Sequence, residues 1–343
     1  MRRSRRPRRP VRELPRAVDA RRAAGLLEFA AMARRITFAG PYLDRAAHLR
    51  QDPAGFDAAL AEPGSCATLV CESRSLVRDV DTDAPRAALM ELVRLPDAVR
   101  RAEAFTLLGR FADRPCFAVE VAPTDALPTP AGTRFEDLRA IAGRLPAADA
   151  GLLGYARAMV GWRRRHRFCG VCGSPTRPVR GGHVLACTRP TCGTEQFPRI
   201  DPAIIVLVDD DGGRALLGRQ ASWPAERYST IAGFVEPGEA LEDAVAREVR
   251  EETGIEIERT EYFASQPWPF PASLMLGFTA RAATHAIHRN DDELEDARWF
   301  TREQVAAGGV RLPPRQSISF SLIERWFDAA GGRPLQATPG ARF

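Results

Sequence analysis

The sequence predicts an α/β protein in which a mixed β-sheet is packed between α-helices, preceded by a cysteine-rich segment and a smaller α/β N-terminal domain. Three observations carry this. Strand-length apolar runs alternate with helical periodicities from Asp201 to Ala329, an order that buries a sheet between helices. Four cysteines fall in two close pairs between Cys169 and Cys192. Ahead of them, short apolar runs such as Ala67 to Val70 and Cys116 to Val121 are broken by proline-rich stretches, as in a small α/β or mostly β domain.

The chain has 343 residues, enough for two domains and a small insert. All 49 basic residues are arginine, a uniformity that points to genome bias rather than to separate demands for guanidinium chemistry. Residues 1–22 hold ten of them against Glu13 and Asp19, so the rest of the chain carries 39 basic and 42 acidic residues, a net −3. Residues 1–24 are therefore read as a disordered arm, too charged and proline-rich to bury a core. The arm is a solvated extension or a misassigned start, or else an RNA-touching arm or a transit peptide. No stretch approaches the roughly 18 apolar residues of a membrane span, and no apolar segment follows the N-terminal charges. No membrane role and no secretion are expected, which places the protein in the cytoplasm.

Taken in order, residues 25–150 form the N-terminal domain and residues 151–200 a linker helix followed by the cysteine segment. The helix spans Leu145 to Arg167, with Leu152, Tyr155, Met159 and Trp162 at helical spacing. Residues 201–335 make the last domain. Its strands are Ala203 to Val208, Ala215 to Gly218, Glu256 to Phe263, Leu274 to Ala280 and Ala297 to Phe300. Its helices are Leu241 to Thr253 and Ser317 to Ala329, and Thr301 with Gln304 makes a capping box for a short third one.

Cys169-x2-Cys172 and Cys187-x4-Cys192 stand 14 residues apart. Four thiolates on two tight turns are what a closed tetrahedral structural zinc requires. Gly170, Gly173 and Gly193 free the turns to bend. The alternative of two disulfides lacks a secretory context. Cys66, Cys71 and Cys116 have no such spacing and are read as buried thiols, His166 and His183 as ordinary surface histidines.

Residues 233–255 read GFVEPGEALEDAVAREVREETGI. Leu241, Val245 and Val249 form one stripe of a helix that Gly254 ends, and at about 100° per residue Glu248, Glu251 and Glu252 converge beside it. A solvated acidic face paired with Arg247 and Arg250 is a poor account. Glu251 and Glu252 fall in the last turn, where the helix dipole disfavours anions, and like charges three and four residues apart repel. A hard divalent cation, Mg²⁺ or Mn²⁺, compensates them and brings pyrophosphate oxygens with it.

The segment matches, at all nine defined positions, the Nudix box G-x5-E-x7-R-E-U-x-E-E-x-G-U, through Gly233, Glu239, Arg247, Glu248, Val249, Glu251, Glu252, Gly254 and Ile255. Downstream, Ser265 to Ser273 reads SQPWPFPAS. Together with the four cysteines just ahead, this resembles the NADH pyrophosphatase subfamily of Nudix hydrolases. Taken alone, the segment reads as a rigid proline-rich loop with Trp268 and Phe270 buried; beside a full Nudix box it reads as a substrate loop whose three prolines limit the entropy lost on clasping a ligand, with polar contacts from Gln266 and Ser273.

The resemblance implies a Nudix fold and hydrolysis of NAD(H) to NMN(H) and AMP by metal-activated water, and the same chemistry on NAD-capped RNA. It implies Glu248 and Glu252 as main ligands of Mg²⁺ or Mn²⁺, Glu251 as further ligand or base, and Arg247 as their orienting partner. It adds Glu293 and Ala232 to the metal site and gives Glu239 a supporting role. It implies a base stacked between Phe197 and Phe234, a substrate segment of Gln266, Pro267, Trp268, Pro269, Phe270, Pro271, Ala272 and Ser273, an adenine contact through the backbone of Ser319, and a ligand contact from Arg139. Gly182 departs from it, since some bacterial relatives carry an acidic side chain there. A homodimer is implied as well. The competing readings are a Nudix hydrolase of broader range, acting on ADP-ribose or dNTPs, and a nucleic-acid-binding zinc ribbon with an inert Nudix fold. The first is opposed by the SQPWPFP segment and the second by the intact box.

Overall fold

In the computed structural model, residues 36–125, 127–289 and 293–343 are described. The arm at residues 1–24 lies outside them. Three sheets follow one another along the chain.

The first is built from β1 (Cys66–Cys71), β2 (Arg74–Arg78), β3 (Arg86–Ala87), β4 (Leu89–Glu91), β5 (Phe105–Phe111), β6 (Arg114–Glu120) and β7 (Thr133–Glu136), in the order β3-β2-β1-β6-β5 with β4 and β7 added on β1 and β2. The apolar runs read from the sequence are its central strands β1 and β6, paired in parallel. Alternate residues of a strand face opposite sides: Ala67, Leu69, Phe117 and Val119 fill one core, while Cys66, Val70, Cys116 and Ala118 face the linker helix Ala147–Arg165. That helix starts after Pro146 and closes this core with Leu152, Ala156, Met159 and Trp162. Cys66, Cys71 and Cys116 are buried free thiols, as expected.

The second sheet is small: β8 (Thr176–Val179), β9 (Val184–Cys187) and β10 (Glu195–Gln196), in the order β10-β9-β8. The third contains β11 (Asp201–Asp209), β12 (Arg214–Arg219), β13 (Ile231–Phe234), β14 (Ile257–Trp268), β15 (Ser273–Ala282) and β16 (Asp296–Thr301), ordered β14-β15-β11-β12-β16 with β13 on β11. It is mixed, since β11 and β15 run parallel and the other pairs are antiparallel. On one face Ile204, Val206 and Val208 pack under the helix Leu241–Thr253 through Val245 and Val249; on the other Ile205 and Leu207 pack under the helix Ile318–Asp328 through Leu322 and Ile323. The Thr301–Gln304 capping box is formed.

Two local readings change. The SQPWPFPAS segment is a hairpin rather than a free loop: Ser265, Gln266, Pro267 and Trp268 pair with Leu276, Met275, Leu274 and Ser273. Proline fits there because β14 is an edge strand, whose outward N–H groups have no ladder partner to lose. The histidines are half-buried rather than free surface residues: His183 donates from Nε2 to the Leu107 carbonyl at 2.7 Å, and His166 from Nδ1 to the Trp162 carbonyl at 2.8 Å. Burial pushes the His183 imidazole down to about 4.

Candidate active site

Four sulfur atoms come together first. The Sγ atoms of Cys169, Cys172, Cys187 and Cys192 all lie within 4.8 Å of one another, with Cys172–Cys187 at 3.5 Å and Cys169–Cys192 at 3.9 Å. The N–H groups of Val171 and Arg189 point at Cys169 and Cys187 from inside the two turns, at 3.4 Å each. Four thiols with donors aimed at them fit a closed zinc site. Gly173 and Gly193 take the left-handed φ of 72° and 62° that these turns require, whereas Gly170 does not and is dispensable to the bend. Gly182 has a separate reason. A Cβ there would stand 2.9 Å from Thr106 Cα and 3.0 Å from the Phe105 carbonyl, so the absent side chain is what lets the ribbon dock on β5.

The glutamates are set by the helix Leu241–Thr253 and by Gly233 on β13. Gly233 must be glycine, because a Cβ there would overlap the Glu248 carboxyl, 1.9 Å from its Cδ. The carboxylate thus sits directly on the sheet backbone. Glu248 and Glu252, one helical turn apart, are buried, while Glu251 is exposed, so the three split into an inner pair and an outer member. Among the described residues their oxygens do not gather as tightly as the cysteine sulfurs do. Burial pushes the Glu248 carboxyl above the ordinary range against the opposing pull of Arg247, and Glu293 adds to the upward push by its charge. Glu293 therefore lies within electrostatic reach of Glu248. Ala232 is on β13 beside Gly233, paired with Ile205.

Arg247 is the hub. Its guanidinium donates to both oxygens of Glu239 (2.5 and 2.9 Å), to Glu248 (2.9 Å), to Glu251 (3.0 Å) and to the Phe234 carbonyl (2.9 Å). Glu239 also caps the Glu236 N–H at 2.9 Å. Arg247 holds the Glu239 carboxyl down at about 2. Part of the carboxylate charge is thereby met by arginine, and the buried Glu248 and Glu252 pair remains a donor set suited to a hard cation.

Phe234 and Phe197 are both largely exposed, at 60% and 59%, and neither enters a ring pair among the described residues. Two cavities flank the hairpin. One, of about 290 Å³, is lined by Gln266, Trp268, Arg139 and Ser319 among others. The other, of about 320 Å³, is lined by Pro267, Trp268, Pro269, Ala272 and Ser273 and by the linker helix. Phe270 packs on Phe38 and Trp268, with the guanidiniums of Arg139 and Arg157 at 4.7 and 4.8 Å from its centre. Pro271 follows a cis bond and is exposed. Arg139, distant in sequence, is thus brought to the hairpin.

Gln266 is spent differently from expectation. It is buried, and its amide donates to the carbonyls of Thr37 (3.1 Å) and Gln316 (2.8 Å) and accepts from the Ile318 N–H (2.8 Å). Its side chain holds the C-terminal helix and the N-terminal segment to the hairpin. The Ser319 hydroxyl is likewise turned inward, 2.8 Å from the hydroxyls of Ser229 and Thr230. Arg157, which donates to the Pro269 carbonyl at 2.9 Å, went unread, because one arginine in a lysine-free chain carries no distinguishing signal.

A mixed sheet between two helices, with these glutamates on one of them, defines a Nudix hydrolase domain, and the NUDIX domain model matches residues 199–320. Residues 164–197 match the NADH pyrophosphatase zinc ribbon domain, and residues 64–162 the NADH pyrophosphatase-like rudimentary NUDIX domain. The NAD-capped RNA hydrolase NudC of Stutzerimonas stutzeri is 41% identical over 83% of this chain and 99% of its own length, and that of Mycobacterium bovis is 38% identical over 82% and 92%. Human NAD-capped RNA hydrolase NUDT12 is 40% identical over 53% of this chain and 43% of its own length. The chain belongs to the NADH pyrophosphatase family of Nudix hydrolases, with its four-cysteine zinc ribbon.

Proposed function

We infer that this chain hydrolyses the pyrophosphate bond of NAD(H) to NMN(H) and AMP and removes NAD caps from RNA 5′ ends. The observation that carries the reading is the buried Glu248, seated against Gly233 and steadied by Arg247, with the buried Glu252 one helical turn further on, in a chain whose relatives are named NAD-capped RNA hydrolases. A buried carboxylate pair in the last two turns of a helix, where the dipole disfavours anions, is a site for Mg²⁺ or Mn²⁺. That ion, when bound, neutralises phosphoryl oxygens and acidifies a water.

The remaining work belongs to the chain. Glu248 and Glu252 hold the ion, with Glu293 and Ala232 completing its surroundings. Glu251, at the exposed end of the helix, serves as further ligand or base. Arg247 fixes the carboxylates by a five-donor network that lysine could not reproduce. Phe197 and Phe234 offer bare rings to a base, and the hairpin from Gln266 to Ser273, with Arg139 and the backbone of Ser319, forms the wall for the other end of the dinucleotide.

The functional units follow the sequence division: residues 25–150, the linker and ribbon at 151–200, and the catalytic domain at 201–335. One zinc per chain holds the ribbon. The exposed Phe168, Val171 and Ile200 favour a homodimer. No helix of the described residues is long and apolar enough to cross a membrane, in keeping with a cytoplasmic enzyme. The test is a product assay, with Mg²⁺ or Mn²⁺, on NADH, NAD⁺, ADP-ribose and NAD-capped RNA. AMP and NMNH in equal amounts from NADH support the reading; turnover of ADP-ribose or dNTPs with none of NADH replaces it by a broader Nudix activity.

A further inference from the structure

The cavity of about 290 Å³ beside the hairpin holds two guanidiniums, those of Arg139 and Arg227, and no carboxylate among its described lining residues. Neither guanidinium is paired with an acid among the described residues. Arg139 only stacks on Phe270 and Trp268, and the Nε of Arg227 is buried without a hydrogen-bond partner. Other arginines near the sheet have acid or carbonyl partners: Arg219 has Glu295, although its Nε is also unpartnered, Arg247 has Glu239, and Arg302 has backbone carbonyls. The N-terminus of the 11-residue helix Ile318–Asp328 borders the same cavity through Ser317 and Ser319; with its Ile318 and Phe320 N–H groups taken by Gln266 and Ser317, it adds only the field of its positive end.

A neutral base lodged here leaves the buried Nε–H of the half-buried Arg227 without an acceptor, beside the exposed and acid-free guanidinium of Arg139, which is costly. An anion removes that cost. The scissile phosphates do not supply it. Gly233, which seats Glu248, pairs with Ile204 on the glutamate-helix face of the sheet, whereas the cavity is lined by Ile205, which points to the opposite face.

We propose that Arg227, with Arg139, forms a second phosphate site, which binds a phosphate carried on the ribose of the nucleoside lodged in this cavity. The inference rests on the pyrophosphate-hydrolase reading above. A 2′-phosphorylated dinucleotide and the 3′-phosphodiester of a capped RNA share this chemistry. Arg227 is then a specificity-determining residue, acting on which nucleotide is accepted rather than on bond cleavage.

The experiment compares kcat/KM for NADPH over NADH, and for an NAD-capped dinucleotide over NAD⁺, in the wild type and in Arg227→Gln and Arg227→Lys. Calorimetry of adenosine 2′,5′-bisphosphate against AMP gives the same comparison without turnover. A charge-assisted contact predicts that the wild type favours the phosphorylated ligand roughly tenfold or more and that Arg227→Gln abolishes the preference, with Arg227→Lys in between. A change confined to NADPH assigns the phosphate to the free dinucleotide, and one confined to the capped dinucleotide assigns it to RNA. Ratios near one in the wild type, or equal ratios in wild type and Arg227→Gln, overturn the site. If the wild type hydrolyses neither NADH nor NAD⁺, the functional reading fails instead, and the calorimetric ratio still decides the anion site.

Discussion

The carboxyl group of Glu248 occupies the volume that any side chain at Gly233 would need, with Cδ 1.9 Å from an ideal Cβ. A strand residue and a helix residue are thereby locked into one arrangement. Gly233→Ala must push Glu248 off the sheet, and displacement of a catalytic group by about 1 Å costs on the order of 10²-fold. The expected outcome is a fall of that size in kcat/KM on NADH with an unchanged circular dichroism spectrum; wild-type kinetics would remove Glu248 from the site.

Glu248 also carries a pH and metal signature. Burial raises its carboxyl above the usual 4.5, so at neutral pH its charge works against the metal-free fold. Glu248→Gln is expected to raise the Tm of the metal-free protein while abolishing the Tm gain produced by Mg²⁺ or Mn²⁺. A metal-induced gain that survives in the variant contradicts the assignment.

Glu239 shows the opposite behaviour. Arg247 lowers its carboxyl from 4.5 to about 2. A lowered carboxyl adds stability that is complete above the unfolded value and is lost as the pH falls from 4.5 towards 2. Acid titrations of wild type and Glu239→Gln should therefore diverge above that window and converge below it, as read by thermal unfolding at each pH.

Gln266 is predicted to act through structure. Gln266→Ala leaves two carbonyls and one N–H unsatisfied in the interior, at a cost of about 2–4 kcal/mol. Denaturant unfolding measures this directly, and a loss below 1 kcal/mol would return Gln266 to a simple ligand-contact role.

The zinc ribbon docks on the N-terminal sheet through the close approach at Gly182. Cys172→Ser should lower zinc content to well under one per chain and cut the Tm by roughly 5 °C or more, since metal binding and folding of such modules are one event. A stoichiometric zinc in that variant would show that another set of ligands holds the ion.

The catalytic half was the more legible part of this sequence, for physical reasons. Its central strand buries both faces and its helix keeps a strict apolar stripe, so Ala203 to Val208 and Leu241 to Thr253 could be placed to within a few residues. The cysteine spacing carried its own geometry. What escaped depends on contacts distant in sequence. The strand Ile231–Phe234 is too short and glycine-interrupted to signal itself, and the hairpin at Ser265–Ser273 hides behind three prolines, Pro267 in an edge strand and Pro269 and Pro271 in the turn. Arg157 and Arg227 acquire meaning only when Phe270 and an acid-free cavity wall are brought to them. The inward use of Gln266 required the Ile318 N–H, 52 residues away.

Metal-dependent pyrophosphate hydrolysis on the buried glutamate pair stands or falls with Glu252→Gln. NADH turnover is measured by AMP release across a Mg²⁺ or Mn²⁺ titration, with circular dichroism as the control for folding. The wild type is expected to be inactive without metal, and the variant to lose about 10²-fold or more in kcat at saturating metal. Full activity of Glu252→Gln on NADH would contradict it.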